Sequence, residues 1–222
     1  MDPQERLEAF WAGERPDVIP YTVYYWEYKD CPEDPAWGPL FDAGLRVTYA
    51  VNTVRAEEKN IEPRREEFTK DGHKYARYVI GTPVGEVSRL IEDGWPREYW
   101  LKSAEDYRVM RYVVENTELT PNYDEWAPAV EEWRGRGIVH AGLNCRTPIQ
   151  TILVDYVGLE NFGYHLIDLE DEMMALYEAL LATFRRRIEI AAEGPGRYVA
   201  VLENFSAETM GPARFAKYHA PV

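Results

Sequence analysis

The sequence predicts an α/β fold built on parallel strands, and three observations lead to that prediction. Runs of β-branched and aromatic residues alternate with segments of helical periodicity along most of the chain. Glycine and proline bound these segments, as in the Gly194-Pro195-Gly196 stretch that ends the longest predicted helix. Polar residues follow several strands, and in parallel α/β proteins that position forms the working face of the sheet. The uninterrupted pattern predicts a single domain over residues 1–222.

The amino-terminal segment predicts one helix, two strands and the loop between them. Residues 3–12 place apolar side chains at helical spacing, which favours a short amphipathic helix. Residues 18–26 and 47–54 are rich in β-branched and aromatic residues, which favours strands. Residues 32–39 are rich in proline and acid and indicate a loop, and residues 41–45 indicate a helical turn.

The next segment predicts an antiparallel insertion. Residues 64–69 and 73–80 flank Lys70-Asp71-Gly72, and Asp-Gly between two extended runs is a strong hairpin signal. Residues 84–91 predict a third antiparallel strand. Two interpretations stay open for this meander: a lid or edge over the ends of the parallel strands, or a surface decoration that binds nothing.

The carboxyl-terminal half returns to alternating helices and strands. Ser103 begins a capping-box-like sequence and predicts a helix that ends near Asn116. Asp168 precedes three acidic residues and is the predicted N-cap of the longest helix, whose first turn favours negative charge. Further helices are predicted over residues 123–134, 148–156 and 159–167, and strands over residues 138–143 and 198–202.

Composition and charge exclude several classes of function. The net charge of -14 would repel a nucleic-acid backbone or an anionic membrane surface, which argues against both as partners. The two cysteines, Cys31 and Cys145, have no metal-like spacing and indicate no disulfide framework. The amino terminus is polar and no apolar run approaches the ~18–20 residues that span a bilayer, which predicts a cytoplasmic protein. The aromatic content of 14% has two interpretations, either packing or a pocket for a flat ligand.

The last residues of the sequence join a strand, a polar pair and a helix. Glu203 and Asn204 close the strand, and the following helix carries Pro212, Phe215 and Tyr218 at a spacing of three. This order resembles the mid-barrel segment of the uroporphyrinogen decarboxylase superfamily, in which an acidic or amide pair precedes a helix of the form Pro-x-x-Phe-x-x-Tyr/Phe-x-x-Pro.

Other segments resemble the same superfamily in the same order. Residues 6–20 look like its opening helix and Gly-x-x-Pro-Asp-x-x-Pro turn, and residues 142–158 look like its Gly-Phe-x-Gly-x-Pro … Gly segment. Residues 82–86 and 101–106 are similar to signatures of its methyltransferase-like branch. The match spans nearly the whole chain, and the order and spacing of its motifs are more specific than any one of them.

The resemblance implies a fold and a chemistry. The fold would be an α/β TIM-type (β/α)₈ barrel with the antiparallel meander inserted. The chain holds four or five barrel strands, so we expect an incomplete barrel, truncated on its carboxyl-terminal side. Relatives of this branch move methyl groups between a methylated donor, a corrinoid carrier protein and a thiol. Their zinc is held by a His-x-Cys pair and a later Cys, which would lie beyond Val222, so we expect no cofactor on this chain alone and zinc and a corrinoid partner only in a full-length parent.

Three departures argue against decarboxylation of uroporphyrinogen itself. Residues 24–28 are aromatic and acidic where true decarboxylases carry an arginine-rich motif for substrate carboxylates. Residues 50–54 contain no acid where those enzymes place an Asp, and Val154 stands near their pocket tyrosine. Because of these departures, a divergent tetrapyrrole decarboxylase is the second interpretation rather than the first. The third is an inactive fragment or a non-enzymatic module that depends on a partner chain.

The candidate site residues all lie at or just after the carboxyl ends of predicted parallel strands. Glu203 is the candidate catalytic residue, since a carboxylate at a barrel mouth can act as a general base or orient a substrate, although a salt-bridge role is an alternative. Arg146 and Asn144 could bind a carboxylate or phosphate, or could serve as a surface ion pair and a loop cap. The predicted substrate-binding residues are Tyr25, Glu27, Asn144, Arg146 and Asn204, and the ligand is expected to be a small molecule.

Cysteine and histidine offer little further chemistry. Cys145 lies beside Arg146 but has no identifiable base, so a buried structural thiol is the better interpretation. Of the four histidines, His140 lies within a predicted strand, whereas His73, His165 and His219 look like hairpin or helix surface. None pairs with another ligand at metal-binding spacing, so the sequence predicts no metal site. A homo-oligomer is left open.

Overall fold

The computed structural model describes residues 1–201, 203, 206 and 208–222 and has a mixed α/β fold. The helices are α1 (Pro3–Trp11), α2 (Tyr25–Lys29), α3 (Trp37–Asp42), α4 (Ala104–Glu115), α5 (Trp126–Glu132), α6 (Pro148–Gln150), which continues as a π-helical segment (Thr151–Val157), α7 (Leu159–Asp168), α8 (Glu170–Glu193) and α9 (Gly211–Tyr218). The strands are β1 (Thr22–Tyr24), β2 (Arg46–Asn52), β3 (Val54–Glu58), β4 (Glu62–Lys70), β5 (His73–Thr82), β6 (Gly85–Glu92), β7 (Trp95–Glu98), β8 (Thr117–Pro121), β9 (Gly137–Gly142) and β10 (Val199–Ala200).

The chain divides into two compact units. The first contains residues 1–55, 120–144 and 188–200, and the second contains residues 56–119, 145–187 and 201–222. None of the helices in the described part of the chain is long and apolar enough to cross a membrane.

The first unit is organised by a parallel sheet in the order β1-β2-β9-β10. Its four described strands form a curled half-barrel, which confirms the parallel α/β prediction at that level. Val47 and Ala141 are fully buried in this sheet. Gly137 is required where β9 meets β2, because a Cβ at that position would lie 2.3 Å from the carbonyl oxygen of Val47.

The first strand is shorter than the sequence predicts. Residues 18–26 were expected to be extended, but β1 ends at Tyr24 and α2 begins at Tyr25. Tyr25 and Tyr28 are three residues apart, so a helical turn directs both rings towards Trp133, at centroid distances of 5.6 Å each. Tertiary packing of aromatic side chains therefore overrides their preference for strands.

The second unit contains the predicted meander, an antiparallel sheet in the order β4-β5-β6-β7. The hairpin prediction is confirmed: β4 pairs with β5 in antiparallel register, and Asp71 and Gly72 form the turn with φ values of 52° and 84°. The third strand is confirmed as β6, antiparallel to β5.

Helices enclose the core of the second unit. α4 packs against β5 and β6, and the Oγ of Ser103 accepts a hydrogen bond from the backbone N–H of Asp106 at 3.3 Å, which confirms the predicted cap. The core is formed by fully buried apolar residues from β6, the segment before α4, the helices and the π-helical segment, among them Val87, Leu101, Val109, Ile149, Ile152, Val157, Met173 and Leu176.

Two sequence-based assignments in this unit are wrong. Asp168 is the last residue of α7 and not the N-cap of α8, because the break falls at Leu169, whose side chain packs against the core. His165 is not a surface residue but is 8% exposed, and Nδ1 of its ring lies 3.0 Å from the hydroxyl of Tyr107. A polar partner of this kind cannot be read from the periodicity of one helix.

Candidate functional site

The Glu203 carboxylate has two oxygens in different environments. Oε1 accepts a hydrogen bond from the backbone N–H of Thr147 at 2.6 Å. Oε2 is buried and has no hydrogen-bond partner among the described residues. A buried acceptor without a partner is costly and is found in native proteins at few positions. The second oxygen is therefore placed to accept a hydrogen bond or a proton from a ligand.

The segment that contains Thr147, the residue that anchors Glu203, follows β9. After β9 the backbone turns at Asn144, whose φ is 50° and whose side chain is exposed. Thr147 then precedes α6, which Pro148 begins at its first position, where the missing N–H of proline has no cost. The Oγ1 of Thr147 also lies 3.4 Å from Nδ1 of His219. Thr147 thus fixes Glu203 with its backbone, so this contact does not depend on the threonine side chain.

Cys145 lies close enough to Glu203 for the two groups to interact electrostatically. Burial raises the pKa of the half-buried Cys145 thiol, the charge of Glu203 raises it further, and the charge of Arg187 opposes the shift. The thiol is therefore neutral near pH 7, where a nucleophilic cysteine would need to be a thiolate. This environment favours the structural interpretation of Cys145.

Arg146 pairs with an acid that sequence analysis did not single out. Its Nε lies 3.4 Å from Oδ2 of Asp155, and 29% of the Arg146 side chain is exposed. Burial raises the pKa of Asp155, while the charges of Arg146 and Arg89 act in the opposite direction. Arg146 is thus paired with an exposed carboxylate within the second unit.

Tyr25 and Glu27 belong to the first unit. Tyr25 contacts the ring of Tyr49 edge to face at a centroid distance of 4.7 Å, and Glu27 is exposed on α2. Asn144 also belongs to this unit, whereas Glu203 and Arg146 belong to the second. Asn204 lies outside the described residues. Convergence of the predicted site residues on one cavity therefore stays a prediction.

The aromatic residues of the first unit favour packing among themselves. Trp133 is 2% exposed and contacts Tyr25, Tyr28 and Tyr49 within 5.6 Å between ring centroids. His140 is buried and stacks on Trp11 at 5.9 Å. Burial lowers the pKa of His140, whereas a hydrogen bond with the backbone of Ala141 acts in the opposite direction. These contacts support the packing interpretation of the high aromatic content.

The side chains present do not fit a zinc site. Within the described ranges, no three residues among the His, Cys, Asp and Glu side chains are grouped so that they could hold a metal ion. A structural or catalytic zinc ion needs at least three such ligands from the protein, so these side chains offer it no complete ligand set.

Three residues of this region were missed from the sequence: Thr147, Asp155 and Arg89. Thr147 directly precedes a proline at a helix start, a position that signals an N-cap but not a carboxylate ligand. Arg89 lies in the predicted third strand, but the predicted strand bounds do not give the register that places it opposite Tyr78. No family model matches the chain, and neither the curated proteins nor the solved structures contain a match.

Proposed function

We propose that the chain is an enzyme of the uroporphyrinogen decarboxylase superfamily, of its methyltransferase-like branch, and that it acts on a small molecule together with a corrinoid carrier protein. Glu203 is the catalytic residue of this proposal. The observation that carries it is the carboxylate with one oxygen anchored by Thr147 and the other buried and without a described partner.

The arrangement of Glu203 suits proton transfer or substrate orientation. The Thr147 N–H fixes the position of the carboxylate, which reduces the reorganisation needed when a substrate binds. Because Oε2 is shielded from water, a hydrogen bond that it accepts would be stronger than one at the surface. In methyl transfer to a thiol, such an oxygen would take up the thiol proton as the sulfur becomes a nucleophile. A corrinoid on a carrier protein would supply the methyl-transfer chemistry when bound.

The fold supports the same class of enzyme. Glu203 comes shortly after β10, and residues 144–147 come directly after β9. Both strands belong to the parallel sheet, and the loops after parallel strands build the active sites of TIM-type barrels. The sequence motifs of the methyltransferase-like branch direct the proposal to this barrel family rather than to another parallel α/β fold.

The test compares Glu203→Gln with Glu208→Gln. Glu208 is exposed on the same loop, so its substitution controls for the loss of one charge. Demethylation of methylcobalamin by a thiol would be followed by absorbance, and circular dichroism would confirm that both variants fold. We expect Glu203→Gln to lower kcat/KM about 10²-fold or more and Glu208→Gln to leave it unchanged. Equal activity of the two variants would refute the role of Glu203, and methyl transfer would be refuted if the full-length protein with its corrinoid carrier protein were inactive.

A second candidate is a module that acts with a partner chain. β1 lies at an edge of the parallel sheet in the described part of the chain, and the apolar Val18 and Ile19 before it are 57% and 82% exposed. Unpaired edges and exposed apolar side chains are common at association surfaces. Light scattering after gel filtration tests this candidate: a monomer over the accessible concentration range would count against self-association.

A further inference from the structure

Three residues form a row across the antiparallel sheet. Arg65 on β4 is directly opposite Tyr78 on β5, and Tyr78 is directly opposite Arg89 on β6. Directly paired residues point to the same face of a sheet, so the two arginines flank the tyrosine ring. The guanidinium carbons of Arg65 and Arg89 lie 5.3 Å and 4.8 Å from the ring centroid of Tyr78.

Arg89 is held between two aromatic rings. Its guanidinium carbon lies 5.0 Å from the ring centroid of Trp100, in addition to its contact with Tyr78. Stacking on aromatic rings uses the faces of a guanidinium and leaves the N–H groups at its edge available for hydrogen bonds. These contacts orient Arg89 without satisfying its donors.

The donors of Arg89 differ from those of three other arginines on this sheet. Arg64, Arg65 and Arg97 each pair with a glutamate, whereas Arg89 makes no ion pair among the described residues. The Nε of Arg89 is buried and has no described hydrogen-bond acceptor. A buried donor on a cation is costly without an acceptor, which indicates that a group outside this chain could complete the site.

A second arginine lies close to the same place. The charges of Arg89 and Arg146 both act on Asp155, which is itself paired with Arg146 at 3.4 Å. Asp155 is therefore paired with Arg146 and lies within electrostatic range of Arg89.

We propose that Arg89 and Arg146 form a binding site for the anionic group of a small ligand, a carboxylate or a phosphate. The planar fork of each arginine matches the oxygens of such a group, and Asp155 acts as the internal counter-ion that competes with it. The antiparallel sheet then has a role in ligand binding, because it supplies and orients Arg89. This site does not depend on the catalytic role of Glu203.

Titration with sodium phosphate and, separately, sodium acetate at low ionic strength tests the site and distinguishes the two anions. Binding would be followed by the chemical shifts of the tryptophan indole N–H groups, with Trp100 assigned by substitution. We expect one of the anions to shift the Trp100 signal with a dissociation constant of about 1 mM or below. Arg89→Ala should weaken this binding about tenfold or more, because it removes charge-assisted hydrogen bonds.

Three variants make the result specific. Arg97→Ala removes an exposed arginine from the same sheet and should leave the affinity within about twofold, since an exposed charge contributes little. Asp155→Asn should tighten binding, because it removes the competing carboxylate. Glu203→Gln should leave anion binding unchanged even if it abolishes turnover, so the site can fail or succeed separately from the proposed function.

The proposal would be overturned by either of two results. One is the absence of a saturable shift with both anions in the folded wild type. The other is an equal loss of affinity in Arg89→Ala and Arg97→Ala, which would mean that the anions respond only to overall charge. Arg89→Lys is a second test in case the alanine variant does not fold. It keeps the positive charge but lacks the planar guanidinium group, so it should bind the anion several-fold more weakly than the wild type.

Discussion

The hydroxyl of Tyr107 on α4 lies 3.0 Å from Nδ1 of His165 on α7, and both side chains are buried. If the tyrosine donates, the histidine is neutral and carries its proton on Nε2. Burial lowers the pKa of His165, although Asp168 and Asp106 favour the charged form. The contact thus links two helices of the second unit through a titratable group whose pKa is lowered by burial.

We expect the stability of the protein to fall in acid in part because of His165. A histidine whose pKa is lowered by folding contributes stability above the pKa of the unfolded chain, and this contribution is lost as the pH falls through the folded value. His165→Gln should therefore show a smaller loss of unfolding free energy than the wild type between about pH 7 and pH 5, measured by urea denaturation.

His73→Gln provides a control of opposite sign. The hydrogen bond that His73 donates to the Asp93 carboxylate raises the pKa of His73, so its contribution is present in acid and is lost as the pH rises through the folded value. His73→Gln should make the loss of unfolding free energy in acid steeper, whereas His165→Gln should make it smaller. Identical pH slopes in the wild type and His165→Gln would contradict the assignment. Tyr107→Phe should cost about 1–3 kcal/mol at neutral pH, because the buried Nδ1 loses its donor.

Elements that are determined by residues close together in the sequence, such as the hairpin, were predicted correctly. The Asp71-Gly72 turn determines the register of β4 and β5, and that register places Arg65 opposite Tyr78. The first strand was overestimated because Tyr25 and Tyr28 bind to Trp133, more than a hundred residues away in the sequence, and no local pattern records that contact.

The candidate site was predicted only in part for the same reason. Glu203 stood out because it follows a strand, but its anchor is a backbone N–H at Thr147, and any residue except proline offers that donor. Arg146 was singled out, whereas its partner Asp155 lies within a helical run that predicts only secondary structure. Contacts between distant segments require the fold before they can be recognised.

Gly158 is predicted to be intolerant of any side chain. It ends the π-helical segment with φ 80° and ψ 155°, a region that only glycine occupies readily, and a Cβ would lie 2.3 Å from the ring of Tyr99. Gly158→Ala should lower the unfolding free energy by about 1–3 kcal/mol or more, measured by urea denaturation.

Gly163 is the matched control for that substitution. It lies inside α7, and a Cβ there would meet no atom within 4 Å. Gly163→Ala should stabilise the protein by about 0.5–1 kcal/mol, because alanine loses less backbone entropy in a helix. A Gly158→Ala variant as stable as Gly163→Ala would be incompatible with the described backbone at the end of the π-helical segment.

Uroporphyrinogen should not bind tightly to this protein. The ligand carries several carboxylates, the protein has a net charge of -14, and Glu27 is exposed where true decarboxylases carry arginines. Anaerobic fluorescence titration should give no saturation in the low-micromolar range, and added salt should reduce the repulsion rather than weaken an attraction. A low-micromolar dissociation constant that weakens with salt would contradict this expectation.

The reactivity of Cys145 should report the charge of Glu203. In a Cys31→Ser background, which removes the exposed cysteine, the rate of alkylation by iodoacetamide as a function of pH gives the thiol pKa. Burial, and secondarily Glu203, raise that pKa, so Glu203→Gln should move the midpoint of the profile to lower pH, whereas Glu208→Gln should not. Arg187→Gln should move it to higher pH, because the charge of Arg187 stabilises the thiolate. Opposite shifts from these two variants would locate Cys145 between an acid and a base, and an unchanged midpoint in Glu203→Gln would mean that the carboxylate does not lie beside the thiol.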